Sequence, residues 1–96
     1  PVRLMRILVT PTFERAVKKL HKRQKAALDE AVRAVASQPG VGETTVGDLA
    51  RVQVYKFRMG TLLCLLAYRV LDENTLKLLM VGPHENFYRD LKRTEH

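Results

Sequence analysis

The sequence predicts an α+β domain built from an N-terminal strand, an antiparallel helix pair, a three-stranded antiparallel meander and a short C-terminal helix, with helices packed on one face of the sheet. Three observations carry this expectation. Apolar residues recur twice at helical spacing between Phe13 and Val35. From Arg51 onward, runs rich in Val, Leu, Tyr and Phe alternate with turn signals at Met59-Gly60-Thr61 and Asp72-Glu73-Asn74. A last amphipathic stretch follows Gly82-Pro83. No repeat, low-complexity tract or long linker divides residues 1–96, so one domain is expected.

Arg3 to Thr10 reads as the first strand, with Leu4, Ile7, Leu8 and Val9 as its apolar content. Thr10-Pro11-Thr12 is a helix-start signal, because either threonine can cap and proline is tolerated in a first turn. Phe13, Ala16, Val17 and Leu20 then make one apolar stripe, opposite Arg15, Lys18 and Lys19. His21-Lys22-Arg23 marks a break, and a second helix is expected from about Gln24 to Gln38, with Leu28, Ala31, Val32 and Val35 inward. Pro39-Gly40-Val41-Gly42-Glu43 ends it in a loop. The short connection makes the two helices antiparallel neighbours.

Arg51 to Arg58, Leu62 to Leu71 and Thr75 to Val81 read as the three strands of the meander. The middle one is almost continuously apolar, as a central strand covered on both faces would be. In the first, Lys56 and Arg58 share one face, while Arg51, Gln53, Tyr55 and Phe57 share the other. Which of these faces is open is not readable from the pattern. Gly82-Pro83 stops the last strand, and a closing helix is expected from about His84 to Arg93. If Pro83 opens that helix, Phe87 and Leu91 point inward, and His84, Tyr88 and Lys92 line the adjoining flank. An imidazole, a phenol and an ammonium on one edge would suit proton transfer beside an anionic substrate.

Seventeen Lys and Arg stand against ten Asp and Glu, a net charge of +7. A small domain this basic suggests a polyanion or an acidic protein partner. The single cysteine, Cys64, lies within Leu62-Leu63-Cys64-Leu65-Leu66 and is expected to be a buried thiol. The histidines are scattered, so no zinc spacing and no metal or cofactor is expected. No signal peptide or membrane span is visible, and a cytoplasmic location is expected.

Taken in order, Phe13-Glu14-Arg15-Ala16-Val17-Lys18-Lys19-Leu20, Gly47-Asp48-Leu49, Val54-Tyr55-Lys56-Phe57-Arg58, Leu66-Ala67-Tyr68-Arg69-Val70 and the segment from His84 to Lys92 resemble the RelE/ParE superfamily of bacterial type II toxin–antitoxin toxins. The resemblance spans nearly the whole chain. It implies one of two activities. RelE-like members enter the ribosomal A site and cut messenger RNA, whereas ParE-like members poison DNA gyrase and cut nothing. Both are held inactive by an antitoxin, here expected to be acidic.

RNA cleaves itself when a 2′-hydroxyl attacks the adjacent phosphate, and a protein assists by moving two protons and neutralising charge. His84 resembles the histidine after the last strand in YafQ-like nucleases of the superfamily, and Tyr88 resembles the C-terminal tyrosine of RelE-like members. These two are the candidate catalytic residues. Lys56, Arg58, Arg69, Arg89 and Lys92 are the candidate substrate-binding cations. Each also has a plainer reading: a capping or surface histidine, an aromatic covering the sheet edge, a solvated charge. One departure stands out. RelE-like enzymes carry an arginine three residues before the tyrosine that aligns with Tyr68, and this chain has Leu65 there. Either Arg58, Arg69 or Lys56 supplies that charge, as the expected ribosome-dependent, metal-independent messenger endoribonuclease requires, or the chain cuts no RNA and is the alternative, a gyrase inhibitor or a non-catalytic basic module, which Leu65 favours.

Overall fold

In the computed structural model, residues 6–44 and 51–95 are described. The start of the first expected strand (Arg3 to Met5), Gly47-Asp48-Leu49 and His96 lie outside them. The described elements are β1 (Arg6–Val9), α1 (Pro11–Lys18), α2 (Lys22–Ser37), a 3₁₀ turn (Pro39–Val41), β2 (Glu43–Thr44), β3 (Gln53–Met59), β4 (Leu62–Asp72), β5 (Thr75–Pro83) and α3 (Phe87–Glu95). The strands form one mixed sheet in the order β1-β5-β4-β3-β2. β3, β4 and β5 are the expected antiparallel meander, and β1 joins its edge parallel to β5.

Thr10 fixes the entrance to the helix pair. Its hydroxyl accepts from the Phe13 N–H at 3.0 Å and donates to the Leu79 carbonyl at 2.6 Å. One side chain therefore caps α1 and ties it to β5. α2 starts two residues before the expected Gln24, because Gln24 itself reaches back: its Oε1 accepts the His21 N–H at 3.0 Å.

The helix pair packs on one face of the sheet. Phe13, Leu28, Ala31 and Val35 meet Met59, Cys64, Leu66, Tyr68, Leu76 and Leu78 in one core. Tyr55 and Phe57 face the same way, which settles the open question of β3: Lys56 and Arg58 are on the opposite face. The last helix covers the centre of that opposite face. Phe87 and Leu91 of α3 lie over Val52, Val54, Leu65, Ala67, Leu79 and Met80, sealing its centre. A register shift between β4 and β5 at Ala67/Tyr68 inserts Leu79 as an extra residue. Leu78 can then serve the helix-pair core while Leu79 serves the α3 core.

Two further features differ from expectation. A two-residue strand, β2, pairs with Val54 and Gln53 at the far edge, where only a loop was expected. The final helix begins at Phe87 rather than His84. Pro83 does not open it, but still pairs with Cys64 as the end of β5. Asn86 then takes a left-handed backbone (φ 62°), which breaks any helix running from His84, and its carbonyl accepts the Asp90 N–H at 3.1 Å.

Candidate nucleic-acid interface

The face bearing α3 also bears the candidate residues. Strand register sets them in rows. Arg58 is paired with Leu63, and the His84 N–H donates to the Leu63 carbonyl at 3.0 Å. His84, one residue past the end of β5, is thereby held with its backbone beside Leu63, in line with Arg58 on the other side of β4. At about 4.8 Å between strands, the Arg58 and His84 backbones are roughly 10 Å apart, a gap that a phosphodiester and its riboses fit. The next row holds Lys56, Leu65 and Gly82.

Arg58 is steadied within this row, because its Nη1 donates to the Thr61 carbonyl across the β3–β4 turn at 3.2 Å. Gly60, in the same turn, has φ +64° and so uses a conformation that glycine adopts without strain. His84 is exposed, and its backbone rather than its side chain is tied down.

The expected column of His84, Tyr88 and Lys92 on one helix does not form, since His84 precedes α3. Tyr88 and Lys92 do share a helix flank, four residues apart. Tyr88 is 38% exposed, and its ring meets Phe87 edge-on at 5.8 Å between centroids. A half-exposed phenol held against a buried phenylalanine offers a flat surface for stacking. Arg89 is exposed beside Asp90, with Nε 3.8 Å from Oδ1, a solvated and weak pair.

Arg69 sits apart from the other candidates. Six residues separate it from Leu63 along β4, roughly 20 Å at about 3.3 Å per residue. Its register partner is Lys77, with Arg6 one alternation further along the β1 edge of the same face. The face is thus basic at both ends and apolar in the middle. Lys77 and Arg6 were missed because their companionship with Arg69 depends on cross-strand register, which no local pattern encodes.

Leu65, the departure from the RelE pattern, is fully buried beneath α3. Tyr68, three residues on, is also fully buried, on the helix-pair face. Its hydroxyl donates to the Pro39 carbonyl at 2.6 Å and accepts from the Gly42 N–H at 3.0 Å. Gly42 must be glycine here, because a Cβ would lie 2.6 Å from that oxygen. Tyr68 is a structural strut of the loop, not a site residue. Burial pushes its phenol pKa up, partly offset by the Gly42 hydrogen bond.

Beside the Arg58 row opens a groove of about 460 Å³, between α1, the β3–β4 turn, the end of β5 and the approach to α3. Its floor includes Met59, Leu62 and Val81; Arg15 and Lys19 stand on one rim, Glu85 and Asp90 on the other. Among the described residues, no three His, Cys, Asp or Glu side chains converge as a metal site would require. No helix among them is long and apolar enough to cross a membrane.

A family model for the ParE-like toxin of type II bacterial toxin–antitoxin systems matches residues 7–92. The chain is similar to one from the toxin–antitoxin complex RelBE2 of Mycobacterium tuberculosis, at 30% identity over 88% of this chain and 95% of that one, with a TM-score of 0.66. In fold it is similar to a free E. coli RelE double mutant, at 15% identity over 96% of this chain and 94% of that one, with a TM-score of 0.73. It is likewise similar to the YoeB dimer of Staphylococcus aureus, at 22% identity over 86% and 99% of the two chains, with a TM-score of 0.63. No curated protein sequence matches.

Proposed function

The chain belongs to the ParE-like toxins of type II bacterial toxin–antitoxin systems, and from that premise we propose that it arrests growth by cutting messenger RNA on the ribosome. One observation carries this reading: the row of Arg58, Leu63 and His84, with Lys56 in the row behind. What supports the reading is an exposed imidazole about 10 Å, backbone to backbone, from Arg58, with the exposed Lys56 one row behind.

In the proposed reaction the 2′-oxygen forms a bond to phosphorus and the bond from phosphorus to the 5′-oxygen breaks. The 2′ proton leaves to a base and the departing 5′-oxygen takes one up. The products are a 2′,3′-cyclic phosphate and a 5′-hydroxyl. His84 handles one of these protons, since one imidazole nitrogen can accept a proton while the other donates one. Arg58 and Lys56 neutralise the crowded phosphate, where Arg offers a paired fork and Lys a point charge. Tyr88 stacks on or positions a base, and Lys92 supports the backbone from the same flank. Arg69, with Lys77 and Arg6, holds the strand at the far end of the face, while Arg89 adds a peripheral charge. No metal or cofactor enters this chemistry.

A second reading is favoured by Leu65. An apolar side chain sealed under α3, where RelE-like enzymes carry arginine, removes a central charge from the face. A gyrase inhibitor that binds without catalysis needs no such charge. In both readings the partner in the resting cell is an acidic cognate antitoxin, and the solved relatives include toxin–antitoxin complexes. Either target places the toxin in the cytoplasm.

Inducing the chain without its antitoxin tests the two together. The nuclease reading predicts growth arrest, messengers with new 5′-hydroxyl ends and unchanged plasmid supercoiling. Relaxed plasmids and DNA-damage signalling with intact messengers would replace it with the gyrase reading. Unchecked growth by folded protein would remove both.

A further inference from the structure

The charge excess of this chain is concentrated away from the candidate interface. Of the eight residues from 18 to 25, five are cationic (Lys18, Lys19, Lys22, Arg23 and Lys25) and none is acidic. Without them, twelve cations would stand against ten carboxylates. They occupy the elbow where α1 ends and α2 begins, on the helix layer, whereas Lys56 and Arg58 are on the opposite face of the sheet. All five are exposed. Among the described residues, none of them has a carboxylate at ion-pair distance.

Lys18 is accounted for locally, because the C-terminal end of a helix favours cations. The cations of α2 are not. Lys22, Arg23 and Lys25 fill its first turn, which holds no acidic residue. The macrodipole there favours carboxylates and opposes cations. A local rule broken by three neighbouring residues, with no internal partner to compensate, is the pattern expected where a surface serves binding rather than stability.

We propose that the α1–α2 elbow is a second polyanion-binding surface, which grips the phosphate backbone of a double-helical nucleic acid independently of the sheet face. The side chains indicate this class of ligand. Four of the five are lysines, which are depleted at protein–protein interfaces but suit phosphate as point charges. The elbow carries no Phe, Tyr or Trp, so it lacks the large stacking platform of a single-strand binder. Across the neighbouring groove, Glu85 and Asp90 repel phosphate, which directs the duplex to the outer side of the elbow. Ribosomal RNA and gyrase-bound DNA share this backbone chemistry, so the surface does not depend on which target is correct.

The test uses a labelled RNA hairpin of 20 base pairs with 2′-O-methyl groups, which cannot be cut, and a DNA duplex of the same sequence. Anisotropy is followed from 50 to 200 mM salt for wild type, for Lys18→Ala/Lys22→Ala/Arg23→Ala, and for Lys22→Glu/Arg23→Glu. Each phosphate contact contributes about 0.9 to the log–log salt slope on duplex DNA. The alanine triple should therefore lower the slope by about 2.7 and weaken binding about tenfold or more at 100 mM salt. The glutamate pair should abolish elbow binding while raising the melting temperature by a few degrees (about 2–4 °C), because it corrects the dipole mismatch. That opposition of readouts separates lost binding from lost fold. Preference for RNA, for DNA or for neither over the other supports the surface and identifies its source. Wild-type affinity and slope in both variants, binding lost only with Lys56→Ala/Arg58→Ala, or elbow variants that impair antitoxin binding alone would overturn it.

Discussion

Replacing Tyr68 by Phe removes one oxygen and should cost far more than an oxygen's packing. The hydroxyl is fully buried. It donates to the Pro39 carbonyl at 2.6 Å and accepts from the Gly42 N–H at 3.0 Å, and Gln53 Oε1 stands 2.9 Å away. Phe cannot replace any of these contacts, so the loop from Pro39 to Gly42 would keep backbone groups without partners. Leaving such groups unsatisfied costs about 1–3 kcal/mol. Taking about 2 kcal/mol, and about 4–8 °C per kcal/mol for a chain of this size, the melting temperature should fall by roughly 8–16 °C. Urea titration should show a lower midpoint with an unchanged slope. The pH dependence should change as well. Burial raises the phenol pKa above its ordinary value of about 10. The folded state therefore disfavours the phenolate: the contribution is fully present below pH 10 and is lost as pH rises through the raised value. Tyr68→Phe should flatten that alkaline loss. A stability change below about 0.5 kcal/mol, the scale of an ordinary surface substitution, would refute the view that this hydroxyl holds the loop.

Phe87→Ala should destabilise by about 3–5 kcal/mol, the usual range for a buried aromatic, and should uncover Leu65 and Ala67 beneath α3, seen as increased binding of an apolar dye. Cys64 is buried and its thiol pKa is raised by that burial, so a thiol reagent at neutral pH should react at the rate of unfolding, and fast native-state labelling would contradict the packing. Asp72 accepts the Asn74 N–H at 2.8 Å, which with the Thr75 hydroxyl and Arg6 lowers its pKa. Its contribution is therefore present above the ordinary carboxylate range and is lost as pH falls through the lowered value; Asp72→Asn should weaken the acid dependence of a urea midpoint series.

Helix and strand order was legible because both depend on local periodicity. Phe13 and Val17, Leu28 and Val35, and Phe87 and Leu91 fall on the faces their spacing predicts. The Gly60 and Asp72–Asn74 turns end strands where expected. What escaped depends on distant partners. β2 exists only because Glu43 and Thr44 find Val54 and Gln53. The Leu79 bulge, and with it the pairing of Leu78 and Leu79 to different cores, follows from β4–β5 register. For the site, Lys56 with Arg58 was readable from period-two alternation. His84 was singled out by its place after the last strand and by an expected helix from Pro83; that helix starts at Phe87, and a backbone bond to Leu63 holds His84. Tyr68 looked like an alignment marker and is a strut. No pattern in the chain says that a tyrosine hydroxyl will meet a loop 26 residues earlier.

The most direct test of the central proposal is 5′-end mapping of a messenger during reconstituted translation, with wild type beside His84→Ala. His84 is exposed and tied down only through its backbone, so the variant should fold as wild type does. The account predicts new 5′ ends at A-site codons with wild type and their loss with the variant, at equal stability. An intact messenger with folded wild-type protein, or undiminished cleavage by His84→Ala, would contradict it.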